Sequence, residues 1–259
     1  MASLEMWSGF ARQCGADMVA WINQTDALRE RNLSGVCNAI TRDWAASCQG
    51  IRARGAFMNK FRLVDAQGRF FSHCVPEEYI QKQDELRTDA AWQLRVLKMV
   101  NAAANDSAKK FPNDLKLIEK ANEECVRLET MFRGGPDCKE YFEFDTPQEV
   151  MDHVRSMDYE SSVYILHMLK DGAGHAVGIE FVPGKDKTGE GPGQKGYPPF
   201  YQFIDPNTGL FLFDAFRGLQ VFFTVPVVKF YAPKTTTHTS FMFIEIWQVD
   251  AATCAAFVL

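Results

Sequence analysis

From Ser162 onward the chain is broken at short intervals by turn-forming residues, and this spacing decides most of what it can fold into. Ser162 to Leu169, His175 to Val182, Phe200 to Ile204, Leu210 to Phe213, Val221 to Tyr231 and Ser240 to Val249 are short runs rich in β-branched and aromatic residues. Such side chains suit a pleated, half-buried surface. Asp171-Gly172-Ala173-Gly174 and Asp205-Pro206-Asn207-Thr208-Gly209 separate neighbouring runs with turn chemistry. Short runs joined by tight turns make an antiparallel sheet.

The first half reads differently. Leu4, Trp7, Ala11, Cys14, Met18 and Trp21 recur at three- and four-residue spacing, which predicts a first helix with one apolar face. A second helix is expected from Ser34 to about Cys48, with Ile40 and Trp44 on the face that carries Cys37. Phe61 to Val64 and Arg69 to Phe71 flank Asp65-Ala66-Gln67-Gly68 and predict a hairpin. Pro76-Glu77-Glu78 opens a long helix to about Lys110, because Pro is tolerated in a first turn and carboxylates favour the N-terminus. Pro112 breaks it, a further helix runs to about Phe132, and a short one fits Pro147 to Ser156. The expectation is an α+β fold, a helical N-terminal half packed on a C-terminal antiparallel sheet. Residues 1–259 are expected to form a single domain, helical over about 1–157 and sheet over about 158–259.

Composition excludes some functions. A net charge of −5, with no cluster of Lys and Arg, argues against a nucleic-acid partner, because phosphate binding leans on such clusters. Seven cysteines in an irregular pattern, without C-x-x-C pairs, argue against a disulfide framework or structural zinc. Glu5, Arg12 and Asp17 interrupt what would be the apolar core of a signal peptide. The most apolar region, Val221 to Ala232, is broken by Thr224, Pro226 and Lys229, so no integral membrane segment is expected.

Within this frame three residues stand in suggestive company. Cys37 lies where a loop signal enters a helical pattern, His175 opens one strand-like run, and Asp205 closes the next. A free thiol of pKa about 8.5 is only about 3 % thiolate at pH 7, so full ionisation multiplies the nucleophile about thirtyfold. A helix N-terminus favours the anion, and a neighbouring imidazolium favours it more. A carboxylate on the second ring nitrogen fixes the tautomer and favours the charged ring. Acyl transfer also needs donors for the developing oxyanion. The Cys37 backbone amide and the Asn32 side-chain amide are the candidates, with Gly35 allowing a close approach.

Gly35-Val36-Cys37 before a helix, Gly174-His175-Ala176-Val177 opening a strand and Phe203-Ile204-Asp205-Pro206-Asn207-x-Gly209 resemble the YopT/AvrPphB family of bacterial effector cysteine proteases. The resemblance implies a papain-like fold, a Cys-His-Asp triad of Cys37, His175 and Asp205, and an oxyanion donor at Asn32. It implies a thiol peptidase that cleaves a protein substrate in a target cell through a thioester, with no metal and no organic cofactor. It also implies secretion by a specialised system without a cleaved signal (otherwise a cytoplasmic location), and a cognate inhibitor or immunity protein as a candidate partner. The same triad would serve a deamidase, transglutaminase or peptidoglycan amidase, and a degenerate, non-catalytic interaction protein is a further alternative.

Other groups compete less well. His73 and Cys74 are adjacent but lack a second pair at metal-ligand spacing. Cys125 and Cys138 fall near an expected helix end, and His153, His167 and His238 lack a partner motif. Val182 to Pro199 is rich in Gly and Pro without a phosphate-cradle pattern. It reads as a surface loop, with a lid or substrate-selecting loop as the alternative.

Overall fold

The structure, a computed structural model, describes residues 3–29, 35–48, 50–61, 63–64, 70–71, 75–86, 119, 138–156, 162–170, 173–184, 198–231 and 243–249. Helix α1 (Leu4–Gln13) begins at Ser3, whose hydroxyl accepts from the Met6 amide at 3.2 Å. It stops at Cys14, and Gly15 follows at φ +70°. The chain turns there into strand β1 (Ala16–Ala20), so the expected helix to Trp21 is shorter by two turns. Met18 and Trp21 keep the helical spacing of the sequence but lie beyond this glycine, which is free to adopt the left-handed conformation.

Helix α2 (Gln24–Arg29) is followed by α3 (Cys37–Ser47) and α4 (Ile51–Lys60). Strands β2 (Leu63–Val64) and β3 (Phe70–Phe71) pair antiparallel as the expected hairpin. Residues 77–86 are helical, as the Pro76-Glu77-Glu78 start predicts. The remaining strands are β4 (Cys138–Phe144), β5 (Ser162–Lys170), β6 (Ala173–Val182), β7 (Phe200–Asp205), β8 (Gly209–Phe213) and β9 (Phe243–Val249). The expected short helix occupies Pro147–Ser156.

Seven strands form one antiparallel sheet in the order β1-β8-β7-β6-β5-β9-β4. Helices together with an antiparallel sheet make this the expected α+β fold. Two of these strands, β1 and β4, come from the part expected to be helical, about 1–157. One of them opens at Cys138, which therefore starts a strand and does not sit at a helix end.

Alternate side chains along each strand point to opposite faces, so the sheet can support a helical layer on both. Tyr164, Leu166, Val177, Ile179, Phe203 and Phe211 pack with Trp7 of α1, Val150 and Val154 of the Pro147–Ser156 helix, and Phe222 and Val227. Val163, Ile165, Ile204 and Leu210 face the other way, onto Ile40 and Trp44 of α3, Phe57 of α4 and Tyr79.

The run Val221 to Tyr231 is helical, not a strand. An α-helix over Phe216–Phe222 widens into a π-turn at Phe223–Val227 and resumes over Val228–Tyr231. Burial shows why: Leu219, Phe222, Phe223 and Val227 are inside while Val221 and Val225 are exposed, which is a helical period. The β-branched composition suggests a strand, and the packing overrides it. Pro226 has no N–H to give an α-helical ladder, and the wider π-turn surrounds it.

A candidate thiol site at the end of the sheet

Strand β6 begins where β7 ends, so His175 near the start of one lies beside Asp205 at the end of the other. His175 Nε2 is 2.8 Å from Asp205 Oδ1. The Asp205 side chain is wholly buried and that of His175 is 13 % exposed. The turn after Asp205 is closed by the Thr208 amide donating to Asp205 O at 2.9 Å and the Asn207 amide donating to Asp205 Oδ1 at 2.8 Å. Gly209 takes φ +123°, and a Cβ there would stand 2.5 Å from Ala20 O, so only glycine fits against β1.

Helix α3 brings its first residue, Cys37, to the same end of the sheet. Its axis is set by a close approach: a Cβ on Gly178 would lie 2.1 Å from Trp44 Cζ3. The Trp44 ring therefore occupies the slot that this glycine leaves in β6. Thr41 Oγ1 donates to Ala176 O at 3.2 Å on the same strand. One turn of helix and one stretch of strand thus lock together, with Cys37 and His175 at their ends.

The start of α3 has no side-chain cap of its own at Val36. Two glutamines supply what is missing. Gln24 Oε1 accepts from the Val36 amide at 2.7 Å, and Gln83 Oε1 accepts from the Ala39 amide at 3.1 Å. The Asn38 and Ala176 amides serve the Cys37 sulfur. Gln24 is clamped to the carboxylate turn as well, since its own amide donates to Pro206 O at 2.9 Å. Thr25 Oγ1 donates to Asn207 Oδ1 at 2.7 Å in the same place. The beginning of α2 therefore ties the Asp205 turn to the segment leading into Cys37.

The charges follow from these contacts. Burial works against an ionised thiol, but the hydrogen bond and charge of His175, and then the Ala176 and Asn38 amides, hold Cys37 below its ordinary value. Burial also works against the charged imidazole. Asp205 outweighs it by charge and hydrogen bond, Cys37 adds to it, and His175 is held up at about 10. With Nε2 engaged by Asp205, Nδ1 is the ring nitrogen left for the sulfur. The arrangement favours a thiolate–imidazolium pair backed by a buried carboxylate, which is chemically a poised nucleophile.

The three expected catalytic residues are thus in one place, while Asn32 lies outside the described residues. Two participants were not found from the sequence. Gln24, thirteen positions before Cys37, sets its carboxamide beside Gly35, with Oε1 and Nε2 at 3.7 and 3.9 Å from where a Gly35 Cβ would be. Tyr231 contacts both His175 and Asp205. No local motif marks either residue, because each reaches the site through tertiary packing.

The rival groups that are described lie outside this contact chain. His73, Cys74, Cys125, His238 and the loop over 185–197 lie outside the described residues. His153 packs between aromatic rings, 4.1 Å from Phe142 and 5.2 Å from Phe144 by ring centroids. His167 is half-buried, and the removal of its ring from water, with the charge of Arg42, lowers its pKa to about 3. Glu78 lies 3.4 Å from Lys60 and is a surface ion pair. Cys14, Cys37 and Cys48 are reduced and not in a disulfide. Among the described residues no group of three His, Cys, Asp or Glu could hold a metal ion. None of the helices described there is long and apolar enough to cross a membrane.

No protein-family model matches the chain, and no curated protein matches it. Among solved structures it is similar to PatoxP, a cysteine protease-like domain of Photorhabdus asymbiotica toxin PaTox, at 11% identity and a TM-score of 0.40. The similarity covers 95% of this chain and 57% of that one, so the chain spans somewhat more than half of its length.

Proposed function

We propose that the chain is a papain-like thiol hydrolase, with Cys37 as nucleophile, His175 as general acid and base, and Asp205 as the group that orients His175. The observation that carries this reading is the contact chain from a thiol at a helix start, through an imidazole, to a buried carboxylate 2.8 Å away.

In the proposed reaction the Cys37 thiolate attacks a substrate carbonyl carbon and a C–S bond forms. The C=O electron pair moves onto oxygen. The oxyanion is met by the Cys37 backbone amide and by the Gln24 side-chain amide, with Asn32 as the alternative donor. The imidazolium gives its proton to the leaving nitrogen as the C–N bond breaks, which leaves a thioester. The now neutral His175 takes a proton from water, and hydroxide attack releases the acid and restores the thiolate. No step calls for a metal or an organic cofactor.

Residues 1–259 act in this reading as one catalytic unit of the YopT/AvrPphB type, an effector or toxin exported without a cleaved signal and cutting a protein in a target cell. Mass spectrometry of a proteome treated with the native chain or with Cys37→Ala tests it. New N-termini that depend on Cys37 are expected. A one-dalton shift at glutamine would assign the same site to deamidation, and isopeptide cross-links would assign it to a transglutaminase. Identical proteomes with the two chains would contradict the enzymatic reading.

A further inference from the structure

Tyr231 is the last residue of the helical segment that covers the sheet face opposite α3, and its ring reaches the site from that side. The ring lies on the imidazole of His175, with centroids 4.7 Å apart and planes 29° from parallel. Its hydroxyl is 2.8 Å from His175 Nε2, 2.9 Å from Asp205 Oδ1 and 2.8 Å from Asp205 Oδ2. Asn207 Nδ2 donates to the same oxygen at 3.0 Å. The orientation of that amide is fixed from behind, because Asn207 Oδ1 accepts from Thr25 Oγ1 at 2.7 Å.

A phenol has one proton to give. The oxygen already accepts from Asn207, and an imidazolium Nε2 is itself a donor, so the phenolic proton goes to the carboxylate. Burial, and then the charge of Asp205, hold the Tyr231 hydroxyl well above its ordinary pKa, so it remains a donor over the working range. Asp205 then divides its charge among His175, the Asn207 amide and the Tyr231 hydroxyl.

We propose that Tyr231 is a positioning residue of this site: its ring shields the His175–Asp205 contact from water, and its hydroxyl sets how much of the Asp205 charge is left to hold the imidazolium. This rests on the thiol-hydrolase reading above. Among the described residues, the titratable groups facing His175 are Cys37 from α3, Asp205 from β7 and Tyr231. His167 on β5 is within electrostatic reach but is uncharged near neutral pH.

The test needs no substrate. The alkylation rate of Cys37 by iodoacetamide is followed by peptide mass spectrometry against pH in the native chain, Tyr231→Phe, Asn207→Ala and His175→Ala. Tyr231→Phe keeps the stacked ring and frees the carboxylate for His175. The upper transition, where the imidazolium loses its proton, should therefore move up by about half a pH unit. Asn207→Ala, which unfixes the hydroxyl and also removes the Thr25 tie to α2, should move it the same way and less. Should Tyr231→Phe not fold, as judged by circular dichroism, the Asn207→Ala profile decides. A Tyr231→Phe profile that superimposes on the native one, while His175→Ala changes it, overturns this inference alone. A profile unchanged by His175→Ala removes the thiol-hydrolase reading together with it.

Discussion

Gly178 and Trp44 are in a lock-and-slot relation: the missing side chain of one is the space filled by the ring of the other, at 2.1 Å from where a Cβ would be. The contact lies three residues from His175 along β6 and two helical turns from Cys37 along α3. It is therefore the packing that fixes how far the thiol stands from the imidazole.

Gly178→Ala forces this contact apart. Overpacking of a dense core costs about 1–3 kcal/mol, and here the obstacle is a buried indole backed by the sheet. The unfolding free energy from urea titration should be lower by that amount, and Cys37 alkylation slows because the helix start is pushed off His175. Trp44→Leu in the same chain should relieve part of the loss. The cost of the double variant should fall short of the sum of the single costs by about 1 kcal/mol or more. Additive costs would mean that the two residues do not share the slot.

Asp205→Asn should keep more function than Asp205→Ala. Asn retains an oxygen for the His175 ring and the Asn207 amide, whereas Ala leaves a buried imidazole and a buried amide without their acceptor. For Ala the alkylation rate of Cys37 at pH 7 should fall toward that of an ordinary thiol, about thirtyfold. Asn should fall between. Native reactivity in Asp205→Ala would remove the carboxylate from the account.

Arg54 of α4 pairs with Glu180 on β6, whose side chain is 1 % exposed, and Arg54 Nη2 also donates to Cys48 O at 3.0 Å. Glu180 is buried but Arg54 is 23 % exposed, so removing the arginine costs about 3 kcal/mol, the low end for a buried pair, because it strands the carboxylate. Arg54→Met should lose that much by denaturant unfolding, and Glu180→Gln in the same chain should recover part of it. A loss below about 1 kcal/mol in Arg54→Met would show that the carboxylate is not dependent on the arginine.

Burial holds His167 neutral in the folded chain, with a pKa of about 3 against 6.5 for the free side chain. A folded value below the unfolded one means that the unfolded chain binds the proton first. Stability from this group is full above about 6.5 and is lost as pH falls toward 3. The slope approaches about 1.4 kcal/mol per pH unit for one proton. Denaturant titrations at stepped pH should show this slope, and His167→Gln should reduce it by about one proton. An unchanged slope in that variant would place the acid sensitivity elsewhere.

The turns explain why the sheet and the three clustered residues were legible in the sequence. Asp205 to Gly209 carries its own chemistry: the Asn207 and Thr208 amides close onto Asp205, and Gly209 alone fits under Ala20. Such local signals survive without knowledge of the rest of the fold. The Val221–Tyr231 segment is the opposite case. Its β-branched composition suggests a strand, but the burial of Phe222, Phe223 and Val227 against α1 and the sheet makes it helical. Tyr231, the last residue of that helical segment, was missed with it. Gln24 was missed because its role depends on α2 touching two segments far apart in sequence, at Val36 and at Pro206.

The central claim is that His175 ionises Cys37. The most direct measurement is the rate at which iodoacetamide alkylates each thiol of the folded chain at pH 7, with and without His175→Ala. Cys37 should react first and by a wide margin, and His175→Ala should slow it about thirtyfold while Cys14 and Cys48 stay as they were. Equal rates for Cys37, Cys14 and Cys48 in the native chain, or a Cys37 rate indifferent to His175→Ala, would contradict the account.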